Sequence, residues 1–175
     1  MKYSHFAMIL GVLLVGLVSC QNPATSQSAA ARNVNPDGTW SLYRASIPGD
    51  HLYTTNFDEY RNLSGWSKEG VACNVWSDAG NGRVLLWRMN SGGGNQRHLY
   101  TANYNEVQNL IANGWHVENM PVNAYVYTSN VAGTIPLYRV SGASTDHVYT
   151  ISFAEKTTAI SNGYSDEGIA CYVNP

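Results

Sequence analysis

The sequence predicts a mainly β domain of three copies of one unit, each with one short helix, closed about a pseudo-threefold axis as a trefoil or three-bladed pinwheel. Three observations predict it. A block of about 45 residues recurs three times after Trp40. Each copy carries runs rich in Tyr, Trp, Leu and Val, bounded by Gly- and Asn-containing loops. A unit that small cannot bury a core of its own, whereas three together can.

The chain opens with a segment that belongs to none of the copies. Lys2 and the apolar run Phe6 to Val18 read as a secretory signal over residues 1–19. As a helix that run is too short to cross a ~30 Å hydrocarbon core. Leu17-Val18-Ser19-Cys20 resembles the lipobox of bacterial lipoproteins, in which the Cys thiol is diacylated and becomes the mature N-terminus. Gln21 at the next position, where an Asp would signal inner-membrane retention, implies the outer membrane. Residues 20–38, the lipidated Cys and a stretch rich in Asn, Ser, Ala, Thr and Pro, are expected to be a flexible tether.

The domain is expected over residues 39–175, with copies at about 40–78, 84–127 and 135–175. Each begins with a strand of the form Leu-aromatic-Arg: Leu42-Tyr43-Arg44, Leu86-Trp87-Arg88 and Leu137-Tyr138-Arg139. A variable loop leads to a second strand, His51-Leu52-Tyr53-Thr54, His98-Leu99-Tyr100-Thr101 and His147-Val148-Tyr149-Thr150. A helix follows, because Asn56, Asn103 and Ser152 stand at N-cap positions with Glu59, Glu106 and Glu155 three residues on, a capping box. Gly65, Gly114 and Gly163 are placed to end the helices at C′. Val107, Leu110 and Ile111 give the second helix an apolar face. A closing strand pair then carries Trp66, Trp115 or Tyr164 and Glu69, Glu118 or Glu167, each set spaced by 49 and 49 residues. Linkers of about ten residues leave no room for three independent beads.

Composition excludes several classes of function. Ten Lys+Arg against twelve Asp+Glu lack the basic excess of a nucleic-acid binder. A hydrophobic share of 44% with 11% aromatics excludes disorder of the whole chain. Charged residues make up only 13%, which with the many Tyr, Trp, Gly and Asn suits a β-rich exported protein.

The series Leu-Tyr-Arg, Pro48-Gly49-Asp50-His51-Leu52-Tyr53-Thr54-Thr55 and Gly65-Trp66-Ser67-Lys68-Glu69-Gly70-Val71-Ala72 resembles a tandem-repeat family of unknown function. Its members occur in secreted bacterial and fungal proteins, often beside hydrolase or peptidase domains. The second copy departs from the pattern, with Arg97 in place of the Asp and Asn119-Met120-Pro121 in place of Gly-apolar-Ala. The resemblance implies an extracellular or cell-surface accessory module of a glycan-binding kind, and fixes no activity.

The repeated polar residues have two readings. Arg44, Arg88 and Arg139 with the Glu set could hold each unit together through buried hydrogen bonds and ion pairs. Alternatively they could line three equivalent pockets that gain strength from avidity. The pairs His51/Tyr53, His98/Tyr100 and His147/Tyr149 lie two apart on one strand face, offering a ring and polar groups to a sugar. Asp50-His51 and Asp146-His147 are adjacent, so each Asp points away from its own His, and a catalytic dyad is not expected. Three His converging on an axis could form a zinc site, against which each His satisfying its own unit is the plainer reading. Neither a metal nor another cofactor is expected. Glu59, Glu106 and Glu155 are assigned to capping and not to glycoside hydrolysis. The unrepeated Asp78, Asn95 and His116 are too scattered to suggest a hydrolase cleft. Cys73 and Cys171 hold equivalent places in the first and third copies and are open to two fates, a disulfide or two buried thiols.

The expected function is thus a lipid-anchored envelope protein, associated with the membrane through its lipid, whose domain binds glycan or cell-wall polysaccharide without changing it. The rival is a structural or protein-interaction lipoprotein.

Overall fold

A computed structural model describes residues 34–93, 97–118, 120, 123–143 and 146–175. The signal segment, Cys20 and tether residues 21–33 lie outside the described residues. Residues 34–38, expected as tether, instead form a turn closed by a Val34–Trp40 bridge. Asp37 Oδ1 accepts hydrogen bonds from the N–H and hydroxyl of Thr39, and Asn35 reaches Asn74, which together fix that turn to the sheet.

The described chain is mainly β, with three short helices. The first unit is β1 (Thr39–Ile47), β2 (Asp50–Thr54), α1 (Phe57–Asn62) and β3 (Ser67–Trp76). A 3-10 turn at Gly80–Gly82 and the short β4 (Val84–Leu85) lead into the second. That unit has β5 (Trp87–Asn90), β6 (His98–Thr101), α2 (Tyr104–Ala112) and β7 (His116–Glu118). After β8 (Tyr125–Val126) come β9 (Ile135–Ser141), β10 (His147–Thr150), α3 (Phe153–Ser161) and β11 (Ser165–Val173). The strand–strand–helix–strand order therefore occurs three times.

In every unit the Leu-aromatic-Arg strand is central and antiparallel to both neighbours. The sheets run β2-β1-β3-β8-β4, β6-β5-β7 and β10-β9-β11. Bridges Asn74–Asn174 and Tyr127–Tyr172 join the third unit's last strand to the five-stranded sheet and to the β8 segment. The closing strand pair expected from the sequence is one strand in each unit, long and irregular in β3 and β11. Gly70 and Gly168 stand at its register shifts with φ of +90° and +84°, a left-handed conformation in which an L side chain is strained.

Asn56, Asn103 and Ser152 cap their helices, each accepting backbone N–H bonds from the first turn. The reciprocal half of the capping box is absent. The N-cap N–H groups are taken instead by Thr54, Thr101 and Thr150 Oγ1, at 3.0, 3.0 and 2.9 Å. Gly114 and Gly163 end α2 and α3 as expected, each with the paired bonds of a Schellman turn. The shorter α1 has Leu63 at its C-cap, so Gly65 lies beyond C′.

One core is shared by all three units. Leu42, Leu86 and Leu137, the first residue of each central-strand motif, are buried in it with Trp40, Val75, Val126 and Val173. A smaller cluster of Met89, Leu99 and Val107 lies under α2, leaving Ile111 on the surface. Cys73 and Cys171 belong to the main core as free thiols, so the disulfide alternative is not realised. Burial lifts the Cys73 thiol to about 12, and it pushes the Cys171 thiol up as well.

Candidate functional site

The sequence offered the His-x-Tyr faces as ligand surfaces, and the tyrosines are used otherwise. Tyr53, Tyr100 and Tyr149 are buried and packed edge to face, with ring centroids 5.2–5.6 Å apart. Each hydroxyl donates to the backbone carbonyl of the next tyrosine and accepts from its N–H. Tyr53 serves Tyr149 at 2.9 and 2.8 Å, Tyr149 serves Tyr100 at 2.7 and 2.8 Å, and Tyr100 serves Tyr53 at 2.8 and 2.7 Å. The bonds close a circuit that consumes both functions of each hydroxyl, so none of the three can contact a ligand. Burial pushes all three phenols up, keeping them neutral donors.

The arginines face these tyrosines in register, Arg44 opposite Tyr53, Arg88 opposite Tyr100 and Arg139 opposite Tyr149. Each joins a glutamate of its own unit to one on another unit's helix. Arg88 Nε lies 3.3 Å from Glu118, while its two terminal nitrogens grip Glu59 of α1 at 3.0 and 3.1 Å. Arg139 pairs with Glu167 and, at 2.9 and 3.2 Å, with Glu106 of α2. Arg44 pairs with Glu69 and with Glu155 of α3, the latter at 2.7 Å. Glu59, Glu106 and Glu155 are therefore inter-unit partners, which corrects their assignment to capping. They can reach outward because a threonine already satisfies the N-cap. Burial works against the charges of Glu106 and Glu155, yet hydrogen bonds from Arg139 and Arg44 hold both below the usual glutamate range.

Each adjacent Asp turns to a histidine other than its own. Asp50 accepts from the His98 N–H at 2.9 Å and meets His98 Nδ1 at 2.7 Å. Asp146 meets His51 Nδ1 at 2.9 Å. His98 Nε2 lies 3.2 Å from Glu118, so both ring nitrogens are engaged. Burial opposes its charge, but the bonds to Asp50 and Glu118 outweigh it and lift the imidazolium to about 9. His147 Nε2 stands 4.0 Å from Glu167, and Arg97, which takes the aspartate's place in the second copy, lies against Gly49 of the first unit. Among the described residues no group of three or more His, Cys, Asp or Glu is placed to hold a metal ion. Of the unrepeated residues, Asp78 pairs with Arg83 and caps a turn, His116 is exposed near Gly92, and Asn95 lies outside the described residues.

Two features remain that this internal bonding does not consume. The first helical residue of every unit is an exposed aromatic: Phe57 is 41% exposed, Tyr104 58% and Phe153 64%. Each lies against the aromatic of the central strand, Tyr43, Trp87 or Tyr138, at 5.3, 5.9 and 5.9 Å. Tyr60 enlarges the first cluster, stacked on Tyr43 at 5.0 Å, and Lys156 lies over the third. Beside Tyr104 a hollow of about 430 Å³ is lined by Asn103, Asn105 and Thr128. The second feature is a groove of about 380 Å³ between the first and third units, bordered by His51, Ser67, Asp146 and Tyr164. The sequence carries a signal for the aromatics, since a ring follows each N-cap.

Fold and junctions define a mainly β domain whose repeated charges join its own units. Residues 41–174 match the model of DUF5648, a domain of unknown function, and the chain belongs to that family. No curated protein and no solved structure matches the chain.

Proposed function

We propose that this is a lipid-anchored protein of the bacterial cell envelope whose domain binds glycan or cell-wall polysaccharide without altering it. Its three units are arranged about a pseudo-threefold axis through the tyrosine circuit, and Cys20 carries the lipid at the outer membrane. The binding surface is the set of exposed aromatic clusters at Phe57, Tyr104 and Phe153.

One observation carries this reading: a large ring keeps two-fifths or more of its surface exposed, between 41% and 64%, at the same place in each unit. A ring face packs on the C–H side of a sugar, and at Tyr104 the neighbouring Asn103, Asn105 and Thr128 offer partners for hydroxyls. A single such contact is weak; three on one chain engage a polymer with avidity. The rival scaffold reading draws on the Arg–Glu and Asp–His bonds, which account for the repeated charges without a ligand.

Pull-down on peptidoglycan and a polysaccharide panel separates the two. The Phe57→Ala/Tyr104→Ala/Phe153→Ala variant is expected to lose at least tenfold in retention while its melting temperature stays within a few degrees. Equal retention would remove the proposed surface. Palmitate labelling that persists in Cys20→Ser would overturn the anchor.

A further inference from the structure

We propose that the groove between the first and third units is a separate site for one uncharged, hydroxyl-bearing ring of the size of a single sugar residue. It is independent of the aromatic clusters and survives if they prove inert.

The argument starts from Asp146, which is buried, with one oxygen on His51 Nδ1 at 2.9 Å and the other accepting from Tyr164 Oη at 2.7 Å. This carboxylate holds an imidazole and a phenol in fixed positions at the groove wall. Burial works against its charge, but these two bonds keep it ionised and below the usual aspartate range. With His51 Nδ1 engaged by Asp146, Nε2 is the ring's remaining polar atom, and a ligand hydroxyl, both donor and acceptor, can meet it. That Nε2 lies 4.0 Å from Glu69, outside hydrogen-bond range of it. His98, its counterpart, has its Nε2 closed by Glu118 at 3.2 Å and is only 5% exposed. The same residue type has both ring nitrogens engaged in one junction and only one in the other.

Tyr164 supplies the apolar wall. Its ring lies on Gly142, where a Cβ would come within 2.8 Å of it, so the ring is seated before any ligand arrives. Ser67 and Ser46 line the same groove, the latter with its hydroxyl donated to Glu69, and a volume of about 380 Å³ falls at the small end of ligand sites. Charge narrows the class further. The Arg97 guanidinium lies against Gly49 of the lining while Glu69 stands beside His51, so charges of both signs border the groove and neither an anion nor a cation is favoured. Both Asp146 oxygens are committed, which leaves no seat for an ammonium group. The Ser46 hydroxyl, opposite His51 in the strand register, donates to Glu69, so it is held as part of the wall and not as a nucleophile on His51.

Titration of the mature domain with glucose, galactose and N-acetylglucosamine, followed by amide NMR shifts, tests the proposal. At least one neutral sugar is expected to move Ser46, His51 and Ser67 with a millimolar Kd. Tyr164→Trp, which installs the residue the other two units carry, and Ser67→Leu should each weaken it at least fivefold. The Phe57→Ala/Tyr104→Ala/Phe153→Ala variant should bind the same sugar unchanged, so the groove and the polymer surface fail or succeed separately. No shifts at these residues with 50 mM of any neutral sugar would overturn the proposal. So would equal or tighter binding of glucuronate or glucosamine, or unchanged affinity in both groove variants.

Discussion

Where the first unit meets the second, Asp50, His98 and Glu118 form a closed chain of contacts, and Arg88 beside them has a side chain only 2% exposed. Where the third meets the first, Asp146 and His51 repeat the pairing, but Glu69 stands off at 4.0 Å and Arg44 is 16% exposed. The residue types are the same in both. What differs is whether the last valence of the imidazole is met from within the protein. A repeated motif thus does two things, and only its surroundings tell which: it staples one junction shut and leaves the other a groove.

That contrast makes the arginines unequal in energy. Arg88→Met leaves Glu59 and Glu118 facing each other without their cation, and breaking such a buried pair costs about 3–4 kcal/mol. Arg44→Met sits nearer water, where solvent can take over, and should cost about 1–2 kcal/mol. Urea unfolding measures both. Equal losses would break the comparison.

The tyrosine circuit sharpens it from the other side, because there the junctions are alike. Tyr53→Phe, Tyr100→Phe and Tyr149→Phe each strand one buried N–H and one buried carbonyl, at about 2–3 kcal/mol. The three losses should agree within about 0.5 kcal/mol in the same urea assay. One tyrosine tolerated and another not would place the inequality in the core and not at the rim.

Much of this was readable in the sequence, and the unread part has a physical pattern. Alternation and turn residues are local, so the mainly β character, the three helices and their N-caps were legible at Asn56, Asn103 and Ser152. Bonds between units are not local. Glu59 looked fully explained by its own helix because nothing in the spacing says that Thr54 satisfies the N-cap and releases the carboxylate to Arg88. The opposite pointing of Asp50 and His51 was foreseen from strand geometry, whereas the partner, His98 some 48 residues on, was not. Tyr53, Tyr100 and Tyr149 stay open to a surface or a structural role in the sequence, because period-two alternation assigns a shared face without saying whether that face is inward. The groove depends on Tyr164 standing where Trp66 and Trp115 stand elsewhere, a difference that reads as a conservative change.

Alkaline pH probes the closed junction next. The folded His98 imidazolium holds its proton to about 9 against an ordinary value of 6.5. Its contribution is complete below pH 6.5, declines as pH rises, and is gone above about 9, a loss of at most about 3 kcal/mol. Melting temperature should therefore fall across that window, and His98→Asn should flatten the decline. His51→Asn, in the open junction, should leave it in place. A decline abolished by His51→Asn and kept by His98→Asn would reverse the two junctions.

The smallest effect belongs to the groove wall. Tyr164→Phe removes one of the two donors to Asp146, but a water entering the groove can replace the hydroxyl, so the cost at neutral pH should stay near 1 kcal/mol. The acid limb is the finer readout. Asp146 is held low partly by that phenol, so its stabilisation is present above the ordinary aspartate value of 3.8 and is lost as pH falls through its depressed folded value. With the donor gone, the folded value rises towards 3.8 and acid unfolding begins at higher pH, while Trp66→Phe at the closed junction, which removes no donor from Asp50, should leave the onset unmoved. A Tyr164→Phe loss of 3 kcal/mol or more would mean that water does not reach Asp146, and the junction would then be closed like its counterpart.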